Sequence, residues 1–463
     1  MRTSALVSVR RFAACLGLVL PSVLSAQAAR GDADARISAL VASVSQERLQ
    51  ATVTKLASFG TRSTLSDTVS TTRGIGAARR WIFEEFRRSS PKLQVAFDRH
   101  MLAAQGRIVR EVELVNVVAI LPGKSPRRIY ITGHYDSVNP RGNAPNNPGA
   151  GGARPANGGD QQMRAEMDHN ADAPGANDDG SGTALTMELA RVFANSGIEF
   201  DATLVFVTWA GEEQGLIGAM AHAQQLAADK TIVEANFNND IVGSSLGGNG
   251  IIDAESVRIY SLGPEDSMHR SLARYIHRVA GVYMPSHTIR LMAREDRFGR
   301  GSDHSSFTAF DFPAVVFREA NENYQRQHNT EDKVEGMDFR YLTQNARVNA
   351  AAAGSLALAP AAPANTTPGG TAAMISRGGG YDAALQWTAS PGAASYRIYW
   401  RNAWSNDWER SQNVGNVTRF QLPNVSIDDY VFGVAAVGAD GNESLVRAYV
   451  SPNRRMTEVK LKK

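Results

Sequence analysis

The run Arg128-Ile129-Tyr130-Ile131-Thr132-Gly133-His134-Tyr135-Asp136-Ser137 opens on β-branched and aromatic residues and closes on a histidine and an aspartate. A short apolar run of this kind reads as a buried strand. His134 then stands at the strand's carboxyl end, the edge at which open α/β sheets place their ligands. Asp136, two residues on, lies on the same side and can accept the other imidazole N–H, which fixes the tautomer that binds metal. A His-x-Asp pair alone is more often a satisfied surface pair, so the weight rests on what accompanies it.

Outward from this run, short β-rich segments alternate with helical patterns. Strands are expected at Val115 to Leu121, Arg128 to Thr132, Thr203 to Thr208 and Ala314 to Phe317, and helices at Gly182 to Ala194 and Leu216 to Ala228. Upstream, Ile37, Leu40, Val41, Val44, Leu49, Val53 and Leu56, then Ala78, Ile82 and Phe86, recur at helical spacing. The alternation predicts an α/β fold, a mostly parallel sheet sandwiched by helices. Asn139 to Pro174, rich in Gly, Pro, Asn and Ala, reads as a flexible surface insertion beside the site.

The chain has 463 residues, 43% of them hydrophobic, which is long for one core and predicts two or three folding units. Residues 1–28 carry Arg2, Arg10 and Arg11, the apolar run Phe12 to Leu20, and Ala26-Gln27-Ala28, together a secretory signal peptide. The α/β region that carries the candidate site is expected over 29–358 and an Ala/Pro/Thr-rich linker over 359–371. Residues 372–455 change to alternating strands, including Tyr396-Arg397-Ile398-Tyr399-Trp400 and Tyr430-Val431-Phe432-Gly433-Val434, which predict a small all-β sandwich. With Trp387 as its core tryptophan, this stretch resembles a fibronectin type III module. Residues 456–463 form a basic tail. The sandwich is a candidate for binding a surface or polymer, with Trp404 and Trp408 as contacts, although core packing is the commoner role of such aromatics.

The formal charge is +3, and removal of the three leader arginines takes it to about zero, so nothing points to nucleic acid. The single cysteine, Cys15, lies in the leader, which leaves no disulfide or thiolate chemistry after cleavage. No later segment is apolar for long enough to span a bilayer, and export to a periplasm or the medium is expected.

Four further motifs follow His134. Gly175-Ala176-Asn177-Asp178-Asp179-Gly180-Ser181-Gly182 precedes a helix and by itself would be a turn and cap. Two dications a few ångströms apart repel, however, and a bridging carboxylate relieves that repulsion. Asp178 is the candidate bridge, with Asp179 supporting it from behind. Glu212 and Glu213 directly follow the apolar strand Leu204-Val205-Phe206-Val207. Metal-assisted hydrolysis can use one carboxylate on a metal and another to take a proton from water, and spacing alone does not assign which does which. Asp240 follows Phe237-Asn238-Asn239, and His328 lies in the loop after Val315-Val316-Phe317. With the others they complete two three-ligand sets that share Asp178.

In this order the motifs resemble the family of co-catalytic zinc aminopeptidases, whose relatives include glutamate carboxypeptidases and glutaminyl cyclases. The resemblance spans about Arg36 to Leu358. It implies two zinc ions per chain, one held by His134, Asp178 and Asp240 and the other by Asp178, Glu213 and His328, with Glu212 as general base. It also implies hydrolysis of N-terminal peptide bonds, with peptide or protein N-termini as substrate. Ser302-Asp303-His304 resembles a family element near the substrate pocket. Some relatives place an oxyanion-stabilising tyrosine immediately before the last histidine ligand. This chain has Gln327 there, and Tyr324 is the nearest tyrosine and the candidate for that role. A glutaminyl cyclase, a carboxypeptidase reading free carboxyl ends through Arg294, Arg297, Arg300 or Arg318, and a non-catalytic binding protein are the competing readings.

Overall fold

The computed structural model describes residues 33–140, 167–370, 372–378 and 380–450. The expected leader, the basic tail and most of the Asn139 to Pro174 insertion lie outside the described residues.

Two short helices open the described chain, α1 (Ala35–Ala42) and α2 (Gln46–Ala57), where the periodicity alone reads as one helical stretch. Ser45 separates them because its hydroxyl accepts from Arg48 N and caps α2. After α3 (Gly74–Ser89) come β1 (Gln94–Leu102), β2 (Val112–Leu121), β3 (Ser125–His134), α4 (Gly180–Ala194), β4 (Ala202–Trp209), α5 (Ile217–Ala228) and β5 (Val233–Asn239). Then follow β6 (Ser256–Ser261), α6 (Met268–Tyr283), β7 (Thr288–Met292), α7 (His304–Thr308), β8 (Ala314–Glu319) and α8 (Phe339–Leu358).

The eight strands form one sheet in the order β1-β2-β4-β3-β5-β8-β6-β7. Its centre, β4-β3-β5-β8, is parallel, and the pairings β1·β2, β2·β4 and β6·β8 are antiparallel. The sheet is therefore mixed, with the expected parallel order confined largely to the strands that end at the site. Side chains alternate along β3 as strand geometry requires. Ile129 and Ile131 join the core beneath α2, α4 and α8, whereas Tyr130 joins Trp209 and Phe307 on the α5 and α7 side. The C-terminal half of helix α8 is buried on all sides, with Ala350 to Ala353 fully buried, and its small side chains let α1 approach closely. A Cβ at Gly354 would lie 2.9 Å from Leu40 Cδ1.

The C-terminal region is all β. Strands β9 (Ile375–Arg377), β10 (Ala383–Gln386), β11 (Ser395–Asn402), β12 (Arg410–Gly415), β13 (Arg419–Leu422), β14 (Tyr430–Val437) and β15 (Arg447–Ala448) make two antiparallel sheets, β13-β10-β9 and β12-β11-β14-β15. Trp387, Tyr396, Ile398, Leu422, Phe432 and Val434 form their common core. Within 359–371, Asn365 Nδ2 donates to the carbonyls of Arg447 and Ala448. Trp408 is half-buried against Tyr399 and the guanidinium groups of Arg274 and Arg401, whereas Trp404 is exposed. No helix among the described residues is long and apolar enough to cross a membrane.

Candidate metal centre

The carboxyl ends of β3, β4 and β5, the start of α4 and the loop after β8 converge on one point. His134 is the last residue of β3, and its Nε2 lies 3.3 Å from Asp178 Oδ1 and 3.8 Å from Asp240 Oδ1. His328 Nε2 lies 3.0 Å from Asp178 Oδ2 and 3.3 Å from Glu213 Oε1. The two oxygens of Asp178 thus face different histidines, which is the geometry of a bridge. Ligand atoms of His134, Glu212 and Asp240 lie within 4.8 Å of one another, as do those of Asp178, Glu213 and His328.

The supporting contacts refine the reading of Asp136. His134 Nδ1 is 3.1 Å from the backbone carbonyl of Asp136, while the carboxylate Oδ1 is 3.6 Å away, beyond hydrogen-bond length. Backbone, not side chain, leaves Nε2 free for a ligand. The Asp136 carboxylate instead accepts from Glu212 N, Glu213 N and Thr64 Oγ1, so it holds the turn that presents both glutamates. Asp179 caps α4 at Gly182 N and also accepts from His134 N and Ile241 N, tying together β3, α4 and the segment after β5.

Charge at this point is heavily negative. Asp136, Asp178, Asp179, Glu213, Asp240 and Asp303 are all buried. Burial alone would favour neutral Asp178, but the two imidazoles outweigh it and hold its carboxyl well below the ordinary range. Burial pushes the Glu212 carboxyl well up, against the pull of His134, and Glu213, Asp240 and Asp136 add to the rise. His134 Nε2 and Asp178 Oδ2 are buried without a hydrogen bond. Crowded carboxylates, two imidazoles and unsatisfied ligand atoms fit a pair of divalent cations of zinc's ligand preference.

Of the other expected residues, Ser302 and Asp303 border the centre, through Asp240 and through the charges of Glu212 and His134. Ser302, Asp303 and His304 are fully buried and present no surface to a substrate. Ser302 Oγ donates to Asp240 Oδ2 at 2.5 Å, and His304 Nε2 lies 3.0 Å from Glu295 O. Tyr324 is 64% exposed, its ring beside the Arg300 guanidinium. Sequence reasoning missed Asp332, and named Arg318 only as a candidate reader of substrate carboxylates. Arg318 Nη1 lies 2.7 Å from Asp240 Oδ1, and the Asp332 carboxylate accepts from Asn177 N and Asp178 N. A charged residue ending an apolar strand run was the one available signal for Arg318.

Residues 116–353 match the model of peptidase family M28, just over half of the chain. A protein of Leptosphaeria maculans described as a probable zinc metalloprotease is 37% identical over 443 residues, covering 88% of this chain and 95% of that one. The chain belongs to peptidase family M28. A second probable zinc metalloprotease, from Pyricularia oryzae, is 37% identical over 452 residues, covering 89% and 84%. Among solved structures, the M28 chain shares its fold with the LapA aminopeptidase of Legionella pneumophila at TM-score 0.51 and 20% identity, covering 70% of this chain and 74% of that one. It is equally similar in fold to the glutaminyl cyclase of Porphyromonas gingivalis, with TM-score 0.50 and 14% identity over 66% and 97% of the two chains.

Proposed function

We propose that this protein is an exported, zinc-dependent aminopeptidase that holds two zinc ions per chain and hydrolyses N-terminal peptide bonds. The observation that carries the reading is the pair of ligand groups facing opposite oxygens of Asp178, with Glu212 beside His134 and Asp240. His134, Asp178 and Asp240 would hold one zinc, and Asp178, Glu213 and His328 the other. Held there, a zinc pair would supply Lewis acidity toward a substrate carbonyl and toward water. Glu212 takes a proton from that water and returns it to the departing amine.

The carboxypeptidase reading needs an arginine free for a substrate carboxylate. Arg318 is engaged by Asp240 and Asp296, Arg297 by Asp296 and Glu322, and Arg300 by Glu322. Those commitments weigh against three of the four arginines, and Arg294, whose guanidinium lies against the exposed Phe298 ring, is the one left to the carboxypeptidase reading. The fibronectin type III-like role of the C-terminal region belongs to the same proposal, and the sequence run 1–28 supports export.

The test is zinc content of the purified protein together with amino-acid release from unblocked, N-acetylated and N-terminal glutamine peptides. Two zincs and release from unblocked peptides alone are expected. Ring closure of the glutamine peptides without release would favour a cyclase, and indifference to acetylation would overturn the reading. Glu212→Gln should abolish turnover with both zincs retained.

A further inference from the structure

Most of the ligand candidates stand on or next to regular elements. His134 ends β3, Asp240 directly follows β5, and Asp178 lies two residues before α4. His328 is different. It stands nine residues past Glu319, the last residue of β8, in a left-handed backbone conformation (φ +56°), and its side chain is 31% exposed against 1% for His134. Its position therefore depends on what anchors its loop.

At the far end of the loop, Asp332 accepts from the amides of Asn177 and Asp178. At the near end stands Glu322, whose side chain is fully buried. Its Oε1 lies 2.7 Å from Arg258 Nη2, and its Oε2 lies 2.6 Å from Arg297 Nη1 and 3.3 Å from Arg300 Nη1. The residue next to His328 joins the same carboxylate. Gln327 Nε2 donates to Glu322 Oε2 at 3.1 Å, and Gln327 Oε1 accepts from Arg300 Nη2 at 3.1 Å. Arg297 continues through Asp296 to Arg318, which grips Asp240.

We propose that Glu322 is the positioning residue of His328: through Gln327 and Arg300 it fixes the loop so that the imidazole meets Asp178 and Glu213. The inference rests on the two-zinc reading above. It explains why a glutamine precedes His328. The amide donates to the carboxylate from Nε2 and accepts from the guanidinium at Oε1, two separate atoms, whereas a phenol would have to serve both partners through one oxygen.

Zinc titrated calorimetrically into the metal-free full-length protein, its Glu322→Gln variant and its Gln327→Ala variant tests this. Loss of an outer partner typically weakens metal affinity about 10- to 100-fold. The unaltered protein is expected to take up two equivalents. Glu322→Gln should bind one as before and the other about 10- to 100-fold more weakly, and Gln327→Ala should weaken the same equivalent to a smaller degree. A role in stability alone would lower the melting temperature and leave both equivalents unchanged. If the variants fold and bind both zincs within twofold of the unaltered protein, the assignment is overturned. If Glu322→Gln does not fold, Gln327→Ala decides alone. Uptake of fewer than two equivalents by the unaltered protein would instead overturn the two-zinc reading, and this assignment with it.

Discussion

A single carboxylate at Asp136 governs the turn that carries Glu212 and Glu213. It accepts from both glutamate amides and from the Thr64 hydroxyl, so Asp136→Asn would turn an amide N–H2 toward donors that need an acceptor. We expect that variant to stay folded and to lose about 10- to 100-fold in kcat or zinc affinity, as supporting contacts of metal sites do. Unchanged kinetics and zinc uptake would show that the turn holds itself. Tyr324 makes the opposite case. A donor to the oxyanion is worth about 10²- to 10³-fold in kcat, but a side chain 64% exposed is poorly placed to supply one. Tyr324→Phe is therefore expected to cost far less than that range, and a loss as large as the range would restore the tyrosine to the reaction.

Elements meet at the site only because certain side chains are missing. A Cβ on Gly182 would lie 2.1 Å from the backbone oxygen of Asn239, and one on Gly133 would lie 2.6 Å from the backbone carbon of Gly182. The ends of β3 and β5 thus touch the first turn of α4 directly, which brings His134, Asp178 and Asp240 within reach of one another. Neither clash is with a flexible side chain, so Gly182→Ala should cost about 1–3 kcal/mol or more. Thermal unfolding would measure it, and an unchanged melting temperature would mean the approach is looser than described. At this scale the sequence was informative where apolar runs end in polar motifs, as at β3, β4 and β8. It was silent on β1, β5, β6, β7 and α6. Ser256 to Ser261 is six residues with Arg258 in its middle, too short and too polar to announce a strand. The grip of Arg318 on Asp240 was equally hidden, because it depends on β8 lying beside β5, and sheet order is not written in the local pattern of either strand. His134, Asp178 and the Glu212-Glu213 pair were legible because each follows a strand or precedes a helix that periodicity reveals, whereas His328, nine residues past β8, was reached through the order of the motifs.

At the scale of the whole molecule, α6 is the seam between the α/β region and the C-terminal β region. Leu445 is 1% exposed and packs into the core of the α/β region. Around it, Arg274 Nε donates to Asn406 O, Arg278 lies between the rings of Tyr275 and Tyr399 with Glu443 at 3.4 Å, and Arg36 pairs with Asp440. His277 Nδ1 lies 2.7 Å from Asp407 Oδ2. That hydrogen bond raises the His277 pKa above its ordinary 6.5, with burial and Arg278 opposing. A raised histidine stabilises the fold fully below its unfolded value, and that contribution is lost as pH rises through the folded one. The seam should therefore weaken above neutrality, by less than about 1 kcal/mol because the pair is half exposed. His277→Gln should flatten that part of the stability profile. Leu445, buried in the α/β core amid these polar contacts, sets the seam apart from the lightly packed boundary of a tethered module. Calorimetry of the intact chain should accordingly show one unfolding transition. Leu445→Ala, a large-to-small change at the seam expected to cost about 2–5 kcal/mol, should move that transition as a whole. Two separate transitions, with Leu445→Ala shifting only the one that belongs to the β region, would mean that the regions fold independently and that the seam does not couple them.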